Sequence, residues 1–178
     1  RDVAPSRGLG DVYKRQIYTG AKFTRLYFKD CYIDGTTDFI FGPSTALFED
    51  CIIHSKRNSY VTAASTPKEA KYGYVFKHCK LTAEPGVDKV YLGRPWRPYA
   101  YTLFIECELG KHIVLAGWHN WGKQSNEETA RYMEYKNTGE GANASERVAW
   151  SKQLTKKEAE AVTVDAIFRT QSDWNPID

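Results

Sequence analysis

The 178-residue chain has no apolar run approaching the roughly 20 residues that a membrane-spanning helix needs. No signal peptide is visible either. It has little net charge: 25 Lys and Arg stand against 22 Asp and Glu, for +3 at neutral pH. With no Lys/Arg block and no base-stacking module, nucleic acid is not an expected partner. A polyanionic substrate is compatible with the small positive excess. There is no Cys-x-x-Cys and no paired-histidine spacing, so no metal site is expected. The length suits one domain with a sizeable core. What the chain has in plenty is aromatic residues, 14% of the total, with twelve Tyr and five Trp. Aromatics in that number suit a β-rich core with Tyr at its edges; where exposed, they suit a carbohydrate groove.

All four cysteines fall at one position of a repeated pattern: Phe28-Lys29-Asp30-Cys31, Phe48-Glu49-Asp50-Cys51, Phe76-Lys77-His78-Cys79 and Phe104-Ile105-Glu106-Cys107. Ile33, Ile53, Leu81 and Leu109 follow two places later. The spacings of 20, 28 and 28 residues predict one strand recurring once per turn of a parallel β-helix. Strand-like runs cover 25–33, 46–53, 72–81 and 102–109. In such a coil, residues of the same phase become neighbours at the strand spacing of about 4.8 Å. Four cysteines in one phase then form a ladder of buried free thiols, because parallel side-chain vectors on adjacent rungs make poor disulfides.

Residues 1–16 lack both the repeat and the alternation of strands and are expected to be a non-native or disordered leader. Residues 17–122 carry the coils, with turn-rich loops at Gly42-Pro43-Ser44, Ser65-Thr66-Pro67, Glu84-Pro85-Gly86 and 94–98. Residues 123–147 read as polar and irregular. The capping box at Thr155 and Glu158 announces a short helix to about Ala161. A further turn is expected over 165–168 and a packed tail at Trp174-Asn175-Pro176, with this whole segment flanking the last coils.

Two charged residues stand out. Asp38 lies ten residues before Phe48, and Arg94 ten before Phe104, so counting back from the anchors puts them in one phase, two rungs apart. The intervening rung offers small residues at Val61, Thr62, Ala63 and Ala64, over which an Arg side chain could reach. Asp38 is an acid inside an apolar strand, and a buried acid needs a partner. An adjacent guanidinium fixes a carboxylate's orientation and favours its charged form. A plain stabilising salt bridge and a reactive pair are both open on these grounds alone. Trp96, beside Arg94 in a Pro-rich loop, is a platform for a sugar ring or a loop-packing residue.

Asp38-Phe39-Ile40-Phe41-Gly42 and Leu92-Gly93-Arg94-Pro95-Trp96 resemble two signature motifs of the pectin methylesterases. The flanks Tyr18-Thr19-Gly20, Val61-Thr62-Ala63, Gly117-Trp118, Glu134-Tyr135, Asn137-Thr138-Gly139, Gly141-Ala142 and Gln153-Leu154-Thr155 also occur in that family's order. The resemblance covers about 17–178 and implies an all-β, right-handed parallel β-helix with a short helical or irregular C-terminal tail. It implies Asp38 as nucleophile, Arg94 as the residue that pairs with and orients it, and Trp96 and Phe41 at the sugar subsite. Thr37, Trp118 and Trp121 are further candidates for lining the groove. It implies methyl-ester hydrolysis on pectin through an aspartyl acyl-enzyme, no metal or organic cofactor, no membrane, action as a monomer and a secreted protein.

The chain departs from the family upstream. Lys14, Arg15 and Gln16 stand where the family has Gln-Asp-Thr, whose Asp is the general acid, and the motif bearing the oxyanion Gln is absent. Arginine does not release its proton at working pH. The expectation is therefore a C-terminal part of a longer esterase, its first coils missing, weakly active or inactive, and poorly soluble through an open sheet edge. The alternative is a non-catalytic β-helix that binds acidic polysaccharide. A pectate lyase would want clustered acidic Ca²⁺ ligands, and a polygalacturonase several Asp residues at inverting separation; neither set is visible.

Overall fold

The computed structural model describes residues 16–169 and Pro176. The leader expectation falls mostly on 1–15, and the packed tail on Trp174 and Asn175; both lie outside the described residues.

Three parallel sheets wrap one interior. The first holds β1 (Ile17–Tyr18), β4 (Ile40–Gly42), β7 (Tyr60–Ala64) and β10 (Tyr91–Gly93). The second holds β2 (Arg25–Lys29), β5 (Thr45–Glu49), β8 (Tyr74–Lys77), β11 (Tyr101–Ile105), β13 (Arg131–Tyr135) and β14 (Lys152–Gln153). The third holds β3 (Tyr32–Gly35), β6 (Ile52–Ser55), β9 (Lys80–Ala83) and β12 (Glu108–Leu109). From β1 to β12 the chain visits the sheets in rotation, so each turn adds one strand to each sheet; β13 and β14 then extend the second sheet alone. This is the right-handed parallel β-helix that the repeat implied.

The repeat is in register. Phe28 pairs with Phe48, Phe48 with Phe76 and Phe76 with Phe104. Their rings stack at 4.7, 4.5 and 4.4 Å between centroids, with planes within 9° of parallel. The strand spacing and the ring-stacking distance nearly coincide, so one residue type at one phase builds a continuous aromatic column. The cysteines form the second column and are free thiols. Each of Cys51, Cys79 and Cys107 donates to the carbonyl of the Phe one rung back, at 3.4–3.5 Å. The neighbouring thiol of Cys79, and then burial, push the Cys51 thiol upward in pKa.

Each run expected as a single strand is two strands meeting at the residue before the cysteine. Asp30, Asp50, His78 and Glu106 have φ of 52, 54, 54 and 51°. One left-handed residue turns the chain from the second sheet into the third. Asp tolerates this region better than most residues, and all four side chains stay in water.

The stretch 123–147 is more ordered than its polarity suggests. It contains α1 (Ser125–Thr129) and then β13, a fifth rung, with Lys136 at φ 46° repeating the corner. Here Glu134 pairs with Phe104 in the aromatic column. Asn137 follows at the cysteine phase, its Oδ1 accepting from the Cys107 N–H at 3.0 Å. The anchor residues change type at this rung, which hid it from the repeat. The buried Glu134 carboxylate meets Arg147 at 2.8 Å and also accepts from Trp118 Nε1 and Asn137 Nδ2.

Capped by its box at Thr155, α2 (Lys156–Glu160) precedes α3 (Val164–Phe168). The pair lies on the outer face of the second sheet, where Ala159, Val162, Ile167 and Phe168 cluster with Leu47, Val75 and Leu103. That sheet is thus buried on both faces, as its uninterrupted apolar strands require.

Truncating the column should cost more inside than at its end. Phe76→Ala, with a ring on either side, is expected to lose about 3–5 kcal/mol in urea unfolding, and Phe28→Ala distinctly less. At pH 8 a disulfide thiol reagent should leave the three buried cysteines unmodified until denaturant is added, then titrate four. Rapid labelling of more than one in the native chain would contradict the ladder.

Candidate active site

Asp38 sits just before β4 with φ of 49° and a side chain 3% exposed. Its N–H donates to Tyr60 O at 2.9 Å, which ties the turn to β7. Arg94 follows β10; its Nε donates to Asp38 Oδ1 at 2.9 Å and its Nη2 to Oδ2 at 2.8 Å. This is the bidentate geometry that a guanidinium offers a carboxylate and an ammonium cannot. Burial of the carboxylate is tolerable because it is paired.

The pair inferred from phase therefore forms, though at a different register. Gly93 pairs with Thr62, and Thr62 with Ile40, which brings Arg94 level with Phe41 and three residues beyond Asp38. The loops that follow differ in length, so equal distances to the next anchor do not mean equal height. Arg94 reaches back across β7 to close the gap.

The approach is close. A Cβ on Gly93 would lie 2.1 Å from Thr62 Oγ1. That hydroxyl is itself bonded to Leu92 O at 2.9 Å. Beyond it, Arg94 N donates to Thr62 O and Trp96 N to Ala64 O. The Arg94–Trp96 segment is thus fastened to β7 as an extension of the sheet.

Aromatic rings border the pair on two sides. Tyr18 stacks on Phe41 at 4.9 Å, and Phe41 meets Trp96 at 5.9 Å. Tyr18 is 58% exposed and was not among the sequence candidates; Tyr18-Thr19-Gly20 entered only as a flank of the motifs. On the other side the Arg94 guanidinium lies 3.9 Å from the Tyr60 ring and 3.8 Å from the Trp121 ring. His119 packs edge-on against Tyr60 and Tyr91. Neither tyrosine nor His119 carried any signal beyond residue type.

Thr37 is half-buried, and its Oγ1 accepts from Ser59 Oγ at 2.9 Å. Trp118 does not line the groove, contrary to expectation. It is 1% exposed, stacked on Tyr132 at 4.3 Å in the core, with its Nε1 on Glu134. The left-handed Gly117, at φ 70°, turns it inward. Among the described residues no group of three His, Cys, Asp or Glu side chains is placed to hold a metal.

Gly93→Ala should force β10 away from β7 and cost about 1–3 kcal/mol, the usual scale for overpacking. Unfolding by urea measures it; a neutral substitution would mean the close approach is not required.

Known proteins resemble this chain in sequence and in fold. The Pectinesterase family model matches residues 9–171. Pectinesterase 31 of Arabidopsis thaliana is 45% identical over 134 residues, which are 75% of this chain and 42% of that protein. The solved pectin methylesterase from carrot superposes with a TM-score of 0.78 at 33% identity, over 86% of this chain and 54% of the carrot chain. A pectin methylesterase solved in complex with a hexasaccharide gives 0.71 at 26% identity, over 91% of this chain and 58% of that one. The chain spans roughly half the length of these relatives. With the coil, the two motifs and the match along nearly its whole length in agreement, this chain belongs to the pectinesterase family.

Proposed function

We propose that the chain carries the nucleophilic half of a pectin methylesterase site: removal of methyl esters from galacturonate units through an acyl-enzyme on Asp38. The observation that carries the reading is the buried, bidentate Asp38–Arg94 pair, its guanidinium against the Tyr60 and Trp121 rings. Arg94 takes one lone pair of each carboxylate oxygen and leaves the others available. One Asp38 oxygen attacks the ester carbonyl carbon, methoxide leaves, and water hydrolyses the resulting anhydride to restore Asp38 and free the acid. Trp96, Phe41 and Tyr18 offer apolar ring faces against which sugar rings stack, and Thr37 stands beside the nucleophile. The hexasaccharide held by one structural relative supports a polymeric substrate. A cell-wall polymer in turn supports action outside the cell.

Methoxide is a poor leaving group unless it is protonated. The resemblance puts Lys14, Arg15 and Gln16 where the family has its acid, and Lys14 and Arg15 lie outside the described residues. Loss of general acid catalysis slows such a step by about 10²–10⁴. Methanol release from methylated pectin is accordingly expected to be near background. An aryl ester separates attack from protonation, because 4-nitrophenolate departs without a proton. Hydrolysis of a galacturonate 4-nitrophenyl ester should fall at least about 100-fold in Asp38→Ala, as for loss of a nucleophile. Equal rates in the two chains would refute Asp38 as nucleophile. Oligogalacturonide binding unchanged in both would then favour the purely binding groove.

A further inference from the structure

The aromatic residues around Arg94 do more than border a groove. The guanidinium lies between two ring faces, Tyr60 at 3.9 Å and Trp121 at 3.8 Å. These contacts fix its plane, while its edge points to Asp38. Trp121 itself needs support, because it holds φ of 62°, a conformation costly for a bulky residue. The support comes from His119, whose Nδ1 accepts the Trp121 N–H at 3.0 Å. Acceptance at Nδ1 puts the ring proton on Nε2. His119 is braced in turn, edge-on, by Tyr60 at 5.4 Å and Tyr91 at 5.3 Å.

We propose that Tyr60, Trp121 and His119 form a positioning clamp that holds the Arg94 guanidinium in place independently of Asp38. Trp121 acts on Arg94 rather than on the sugar, and His119 acts through Trp121. The need for such a clamp rests on the acyl-enzyme reading above. While Asp38 is acylated it carries no negative charge, and the ion pair that otherwise holds Arg94 is gone. Two ring faces keep the guanidinium where the carboxylate will reappear on hydrolysis. Cation–π contacts suit this task, because they do not depend on the charge of Asp38.

The clamp has a protonation condition. Burial, and then the charge of Arg94, hold His119 below its ordinary pKa of 6.5. The ring therefore stays neutral, with its Nδ1 lone pair available, to a lower pH than an ordinary histidine; protonation removes the acceptor. The groups facing His119 are Tyr60 on β7, Tyr91 on β10 and Arg94 after it, with Asp38 beyond Arg94. Glu127 of α1 shares a surface depression with His119 and is bonded to Asn120.

The test needs no turnover, so failure of the esterase reading does not affect it. The probe is hydrogen exchange of the Arg94 Nε–H, followed by NMR on the full chain and assigned by loss of the signal in Arg94→Lys. Asp38→Asn stands in for the uncharged acyl-enzyme. Its Arg94 signal should stay slowly exchanging. Adding Trp121→Ala or His119→Ala to Asp38→Asn should speed exchange about tenfold, the scale of one cation–π contact. Adding His119→Asn, which keeps an acceptor at that position, should restore slow exchange. Loss of the signal in Asp38→Asn alone overturns the proposal, as does unchanged exchange with Trp121→Ala. If the alanine variants unfold, the pH profile decides. The Asp38→Asn chain should lose protection relative to Asp38→Asn carrying His119→Asn as His119 titrates, and parallel profiles overturn the clamp.

Discussion

In-register stacking of parallel strands is the constraint on which everything else in this molecule rests. Each turn must place its backbone about 4.8 Å from the last along all three sheets. Once that holds, a residue has the same-phase residue of the next turn as its neighbour, whatever the loops between them do. The Phe column and the thiol column are both consequences. So is the left-handed corner: Asp30, Asp50, His78, Glu106 and Lys136 all turn the chain at one height. A single corner out of step would leave carbonyls unpaired on every strand beyond it.

The site uses the same constraint for a different end. Asp38, the β7 strand and Arg94 belong to three successive turns that are 22 to 34 residues apart in sequence yet lie side by side. Stacking brings the acid and the base together without a flexible segment between them. It leaves Arg94 to span one rung, which succeeds because Gly93 lets β10 lie against Thr62. Rigid support of this kind keeps the Asp38 carboxylate in one orientation, which a loop-borne carboxylate would have to achieve at an entropic cost.

How much of this the sequence carried depends on whether chemistry or geometry encodes it. The coil was legible because Phe and Cys recur in one phase. The fifth rung was not, because Glu134 and Asn137 replace the anchors there. The Asp38–Arg94 contact was legible from the need of a buried acid for a partner, although the counting that suggested it was off by three residues. Trp96 and Phe41 were found by motif, and in the structure their rings meet at 5.9 Å. Trp118 and Trp121 share a residue type and a segment, and nothing in their spacing tells that Gly117 turns one inward while His119 holds the other against Arg94. Tyr18, Tyr60 and Tyr91 are three tyrosines among twelve; only their heights on the sheet distinguish them.

The fold contains a second bidentate carboxylate–guanidinium pair, and the contrast explains why one is a candidate for chemistry. Glu134 and Arg147 are each 3% exposed. Glu134 accepts four donors, two from Arg147 and one each from Trp118 and Asn137. Arg147 also donates to the carbonyls of Val114, Leu115 and Gly141. Every strong lone pair of that carboxylate is engaged, which is what makes a buried ion pair tolerable and leaves it inert. Asp38 has the same type of partner but, among the described residues, only Arg94's two donors. Among the described residues no donor meets its remaining lone pairs, and the Arg94 side chain is 20% exposed. A carboxylate oriented by one side and left unsatisfied on the other is costly to keep for stability alone. Where the carboxylate only closes the core, the protein surrounds it; the carboxylate proposed to meet a carbonyl carbon is held from one side, by Arg94.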